Sequence, residues 1–155
     1  MSTRLLLLLL LVNAAIAWQK CKCLPGDPCF PSPSTWASFA QNLSQPLISN
    51  QLPIAAPCYT TSPAYDPQVC ASVTAQQSNP HFLAASSNAI QWQNFMELVA
   101  NDTVYQCVYD PKPNATCYQG RVPSYSINVS TVADVQHTIR FATTHNLHLV
   151  VKNNG

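Results

Sequence analysis

Of the 155 residues only 8% are charged, and the formal net charge is +1, against roughly a quarter charged in an ordinary soluble domain. So little charge leaves no strong field to gather nucleic acid or an anionic membrane surface, and neither partner is expected. Seven cysteines and 13 prolines against three glycines point instead to an ordered, irregular, cross-linked polypeptide.

The chain opens with Arg4, an apolar run from Leu5 to Val12, and the small residues Ala15 and Ala17. This is the layout of a secretory leader with cleavage after Ala17. The apolar run is shorter than the roughly 20 residues a membrane-crossing helix needs. Removal of residues 1–17 leaves 138 of 155, enough for one cored domain. Secretion to the extracellular space puts the cysteines in an oxidising compartment, so Cys21, Cys23, Cys29, Cys58, Cys70, Cys107 and Cys117 are all disulfide candidates. Their connectivity is not readable, although Cys21 and Cys23 are too close to pair easily with each other. The odd count implies a free thiol or a partner outside this stretch. Four sequons, at Asn42, Asn101, Asn114 and Asn128, offer glycans as the hydrated surface that the scarce charges do not provide. Asn128 is the sterically poor one, because it falls at the end of an expected strand.

Residues 18–33 form a proline-punctuated leader with a turn at Pro25-Gly26-Asp27-Pro28. Ser34 or Thr35 is expected to cap a short helix carrying Trp36, Phe39, Ala40 and Leu43, stopped by Gln45-Pro46. Leu47-Ile48 and the Pro53 region read as extended. Between Cys58 and Cys70 a looped segment opens a brief helix from Asp66 through Ala75. His81 follows Asn79-Pro80 in an expected loop. From Phe82 to Val99 the pattern is ambiguous: Ile90, Phe95, Met96, Leu98 and Val99 could belong to a helix, but the polar Gln91, Gln93 and Asn94 interrupt both the helical and the strand period. Cys107–Cys117 encloses Pro111-Lys112-Pro113 and the Asn114 sequon as an exposed loop tied at both ends.

The last third is the most regular. Residues 122–129 alternate as a strand does. Thr131 with Asp134 is a capping pair, and Val132, Val135, Ile139 and Ala142 share a helical face. Asn146 suits a left-handed stop before the strand-like Leu147-His148-Leu149-Val150-Val151. This is a β-α-β unit that delivers Lys152-Asn153-Asn154-Gly155 at the carboxyl end of its second strand. There, turn-prone residues let backbone amides face an anion such as a diphosphate. Lys152, Asn153, Asn154 and Gly155 are therefore the cofactor-binding candidates.

Other chemistries are weaker. His137, His145 and His148 would not share one helical face, and Cys21, Cys23 and Cys29 fit no common zinc spacing, so no metal site is expected. There is no G-x-S-x-G, and the three glycines lie too far apart for G-x-G-x-x-G. Trp36 and Trp92 with Tyr59, Tyr65 and Tyr118 could stack a sugar, but scattered aromatics more often serve packing. No catalytic residue is identified.

The segments Tyr125-Ser126-Ile127-Asn128-Val129, Asp134-Val135, Phe141-Ala142, Asn146-Leu147 and Val150-Val151-Lys152-Asn153-Asn154-Gly155 resemble the start of the FAD-binding domain of the vanillyl-alcohol oxidase and p-cresol methylhydroxylase (PCMH) superfamily. They are most similar to its secreted fungal, berberine-bridge-enzyme-like branch. The leader Cys21–Ser32 with Trp36 and Phe39, and the later Cys117-Tyr118-Gln119-Gly120, resemble the same group. The resemblance implies an α+β fold: a disulfide-tied irregular N-terminal region (18–118) followed by the first β-α-β unit of a PCMH-type FAD-binding domain (119–155), truncated. It also implies FAD as cofactor in the complete protein, with a small-molecule substrate and oxygen as partners. Family members place a flavin-linking histidine directly after the loop glycine and several hundred residues beyond it. These residues alone are therefore expected to be inactive. Lys152 stands where relatives commonly carry arginine, which keeps the charge and loses the planar fork. The competing reading is a small secreted disulfide-bonded glycoprotein with a binding or structural role.

Overall fold

The computed structural model describes residues 21–153; the stretch read as a secretory signal with cleavage after Ala17, and Asn154 and Gly155, lie outside the described residues. The chain forms two compact units, one of 21–46 with 128–150 and one of 47–127 with 151–153. These units interleave the stretches that the family resemblance divides at residue 118.

In the first unit, helix α1 spans Pro33–Ala40. Its cap is Ser32 rather than Ser34 or Thr35: the Ser32 hydroxyl accepts from the Thr35 amide at 3.2 Å, and Pro33 takes the first helical position, where its fixed φ and missing N–H cost nothing. Trp36 and Phe39 are buried on its inner face. Leu43 lies past the helix end, in a turn where its amide donates to Ala40. The leader is stapled by Cys23–Cys29, Cα atoms 5.7 Å apart.

The long helix of this unit spans Val132–Thr144. At its start Thr131 and Asp134 form the expected reciprocal capping box. At its end Asn146 adopts φ 51°, with Leu147 N–H donating to Ala142 O at 2.8 Å and Asn146 N–H to Thr143 O at 3.2 Å. That pair of bonds is the Schellman arrangement. The leader grips the same end: Cys23 N–H donates to Asn146 O at 3.0 Å and Asn146 Nδ2 donates to Cys21 O at 2.6 Å.

The apolar residues that share a face at helical spacing are not the packed side of this helix. Val132, Val135 and Ile139 are exposed, at 73%, 42% and 50%, and of the four only Ala142 is buried. The face in use carries Asp134, Thr138, Phe141, Ala142 and His145. Aromatic packing selects it, because Phe141 stacks on Phe39 with centroids 4.1 Å apart and lies 4.8 Å from Trp36, a denser contact than the valines offer.

Asp134 is almost fully buried. Its carboxylate accepts from the Ser44 amide at 2.9 Å, the Ser44 hydroxyl at 2.5 Å, the Ser130 amide at 3.1 Å and the Thr131 amide at 2.9 Å. These donors, the Ser44 hydroxyl first, hold its pKa far below the ordinary carboxylate range. A depressed carboxylate contributes stability that is fully present above its unfolded pKa of about 4 and lost as pH falls toward the folded value. We expect Tm to hold near neutrality and drop between about pH 5 and pH 3, and Asp134→Asn to flatten that slope in thermal melts run against pH.

In the second unit, helix α2 spans Pro67–Ala75 under an Asp66 cap, as the sequence predicts. Helix α3 spans Pro80–Ala85 under Asn79, whose side chain accepts from the His81 and Phe82 amides. His81 is therefore helical, not in a loop. Within the Phe82–Val99 stretch lies a short 3-10 turn, Gln93–Met96, and a hairpin begins at its end. Its strands β1, Leu98–Ala100, and β2, Thr103–Tyr105, pair antiparallel. The two residues between them, Asn101 and Asp102, have φ 50° and 58°, the twist-matched turn of a two-residue hairpin. With these the long helix becomes α4.

Cys58–Cys70 and Cys107–Cys117 close within this unit, Cα atoms 4.8 and 4.5 Å apart. They flank a core of Ile54, Ala55, Ala56, Tyr59, Val73, Leu83, Ala89, Cys107 and Tyr109. Cys21, exposed, is the cysteine left unpaired among the described residues, the odd one that the count of seven requires.

The segments expected to flank α4 as parallel strands form no ladder with each other among the described residues. Ser126 instead bridges antiparallel to Ile48, with Ser126 N–H donating to Ile48 O at 2.9 Å and the reverse bond at 3.0 Å. Val150 and Val151 are 70% and 85% exposed. A parallel strand is stabilised only between covered faces, and nothing in the described residues covers these two. Among the described residues the architecture is mixed α and β, with one small two-stranded sheet and three disulfides.

Candidate functional site

Lys152 is the best-defined member of the expected anion loop. Helix α3 ends at Ala85, and the chain turns back so that Ser86 N–H meets Leu83 O and Ala89 N–H meets Ser86 O. Three carbonyl oxygens are left converging on one point. The Lys152 ammonium fills it, donating to Leu83 O at 2.6 Å, Ser86 O at 2.6 Å and Ala89 O at 2.9 Å. Two of those carbonyls belong to the core residues Leu83 and Ala89. A cation there also answers the negative end of a helix. Partial desolvation lowers the lysine pKa from its ordinary value.

All three ammonium hydrogens thus have carbonyl acceptors, so the side chain of Lys152 is committed to the backbone of residues 83 to 89. Asn153 follows it, exposed. The structure brings Lys152 and Asn153 to the edge of the core; Asn154 and Gly155 lie outside the described residues. The contribution of Leu83, Ser86 and Ala89 was not read from sequence. Its one signal is the capping dipeptide Asn79-Pro80, which announces a helix and hence a carbonyl end nearby. Lys152→Met is expected to destabilise the second unit by about 2 kcal/mol, because three carbonyls lose a charged donor. Urea denaturation of the variant checks this, and Lys152→Arg should recover only part of the loss.

The other candidates lie apart from this loop. His137 and His145 sit on α1–α4 aromatics, 6.3 Å from Phe39 and 4.6 Å from Phe141 by ring centroid. Among the described residues no group of three or more His, Cys, Asp or Glu could hold a metal. Trp36 is buried and Trp92 is 70% exposed. The Tyr59 hydroxyl accepts from the Val108 amide at 2.6 Å, and burial pushes its pKa up, which suits a core hydroxyl and not a base. A cavity of about 130 Å³ lies between Cys58–Thr60 and Pro111–Ala115, with Lys112 its only charged residue. No helix among the described residues is long and apolar enough to cross a membrane.

No family model matches the chain. It is 35% identical over 99% of its length to an FAD-linked oxidoreductase of Arthroderma benhamiae, of which it covers 25%. Among solved structures it is similar to the VAO-type flavoprotein MtVAO615 of Myceliophthora thermophila, with TM-score 0.74, 34% identity, and coverage of 87% of this chain and 24% of that one. MtVAO713 from the same organism matches with TM-score 0.67 and 28% identity over 81% of this chain and 21% of that one. The chain is homologous to the VAO-type, FAD-linked oxidoreductases. It spans about a quarter of the length of the relatives it matches, and the resemblance read from Tyr125–Gly155 and the cysteine leader points to the same family.

Proposed function

We propose that these residues are the N-terminal part of a secreted FAD-dependent oxidase acting on an alcohol, sugar or similar carbon substrate with oxygen as acceptor, and that alone they are inactive. The observation that carries this reading is the match of nearly the whole chain to a quarter of each flavoprotein relative. Bound flavin would supply the hydride chemistry. The role left to this chain is binding and orientation: Lys152 is held by the Leu83, Ser86 and Ala89 carbonyls, and the turn-prone stretch after it would offer backbone amides to the diphosphate of FAD. The aliphatic face of α4, Val132, Val135 and Ile139, is exposed, which supports further polypeptide packing there, since exposed apolar patches mark docking surfaces. The same reading includes removal of residues 1–17, the domain boundary at 118/119, and glycans on the surface. A free-standing secreted glycoprotein is favoured only by three disulfides that close within the chain.

Reading the message past the Gly155 codon tests the proposal. An in-frame continuation opening with histidine is expected, and a stop codon confirmed in the transcript overturns it. The purified 155-residue product should be colourless; stoichiometric bound FAD would overturn its inactivity.

A further inference from the structure

The four sequons sit in two kinds of surroundings. Asn101 is the first residue of the hairpin turn between β1 and β2, exposed, at φ 50°. Asn114 is exposed at φ 59°, in a turn closed by Ala115 N–H donating to Lys112 O at 3.0 Å, with Pro113 before it as a type II turn prefers. Both project from loop tips, and both have threonine, Thr103 and Thr116, as the third sequon residue, each exposed; the Thr103 hydroxyl makes one long bond within its own sequon, to Asn101 O at 3.4 Å, and is not tied to a distant element.

The other two sequons end in serines drawn into the α4 cap. The Ser44 and Ser130 hydroxyls are 2.7 Å apart, and the Ser44 hydroxyl also donates to Asp134. Ser130 N–H donates to the same carboxylate at 3.1 Å. Asp134 is only four residues past Ser130, so this restraint on the Asn128 sequon is local and forms as soon as α4 does. The Asn42 sequon is held more loosely. Its Nδ2, the atom a glycan would join, donates to Ser38 O at 3.1 Å, while its Ser44 contact needs Asp134, 90 residues on.

N-glycosylation requires a free amide nitrogen and a free hydroxyl two residues later. An oligosaccharide arrives on a lipid-diphosphate donor. The Asn Nδ2 to sugar C1 bond forms as the C1–O bond to the diphosphate breaks, the amide loses one proton, and the lipid diphosphate leaves. We propose that Asn101 and Asn114 are the glycan carriers of this protein, that Asn128 is withheld by the Asp134 cap, and that Asn42 is modified to an intermediate extent.

The inference rests on the secretion proposed above. The experiment expresses the 155-residue chain in a eukaryotic secretory host twice, once with its own leader and once behind a leader of proven function. Occupancy at each asparagine is then read by enzymatic glycan release in heavy-oxygen water and peptide mass spectrometry, on medium and cell pellet together. Failure of the native leader alone sinks secretion and leaves the site ranking to be read from the second chain. There, occupancy several-fold higher at Asn101 and Asn114 than at Asn128 is expected, with Asn42 between. Asn128 occupied as fully as Asn101, or either tip asparagine empty, overturns the proposal.

Two variants separate the cap from the choice of serine. Asp134→Ala should raise Asn128 occupancy by releasing Ser130, and no rise counts against the inference. Ser130→Thr keeps the cap and should leave Asn128 low; a rise to the Asn101 level would mean that the hydroxyl residue type, and not the cap, sets the ranking.

Discussion

Gly120→Ala is expected to lower the stability of the second unit by about 3 kcal/mol or more, because two penalties act at one position. Gly120 has φ +55°, and a Cβ built there falls deep inside contact distance of the Met96 carbonyl oxygen, with Tyr105 O only 3.3 Å away. Both neighbours are backbone. Met96 cannot withdraw without cost, since its carbonyl accepts from Arg121 N–H at 2.8 Å and its side chain is buried. The comparison that isolates the clash is Gly26→Ala. Gly26 also has a positive φ, +97°, but nothing lies within 4 Å of its built Cβ, so it should lose only about 1 kcal/mol for the backbone conformation. Urea midpoints for the two variants check the difference. Equal shifts would mean that Met96 moves aside freely and that the Cys117–Gly120 stretch is not a fixed part of the fold.

What could be read from sequence was whatever the chain settles locally. Helix α4 was legible at both ends because Thr131, Asp134 and Asn146 each act within a few residues of themselves. Asp66-Pro67 announced α2 in the same way. Asn79-Pro80 carries that grammar too, yet the six-residue helix it starts is too short to show a period, and it was read as a loop. The β1–β2 hairpin escaped because its turn is Asn-Asp and lacks the glycine that usually signals one. Non-local choices were not legible. Ser126 alternates as a strand residue should, but nothing nearby states that Ile48 is its partner. The valines of α4 and the aromatics on its other face are equally apolar on paper. Only the presence of Phe39 and Trp36 decides between them. Lys152 shows the same divide: its position at the end of a strand-like run could be read directly, whereas the destination of its ammonium depends on carbonyls at residues 83 to 89.

The aromatic contact that decides the face of α4 also carries the second large effect. Trp36→Ala is expected to cost about 3–5 kcal/mol, the range for emptying a buried aromatic site. Trp36 is 8% exposed and touches three rings: Phe141 at 4.8 Å, Phe39 edge-on at 6.0 Å, and Phe30 at 6.0 Å. Phe39 and Phe141 stack directly, so they keep each other when the indole is gone, but neither can reach into the volume it leaves. Trp36→Phe should recover more than half of the loss by restoring a ring between Phe30 and Phe141. The readouts are Tm and amide exchange across Val132–Thr144, which should accelerate in Trp36→Ala although no residue of α4 has changed. If exchange there stays at the wild-type rate, α4 is held by its caps at Thr131 and Asn146 rather than by the aromatic face, and the valine stripe regains its claim to be the side that matters.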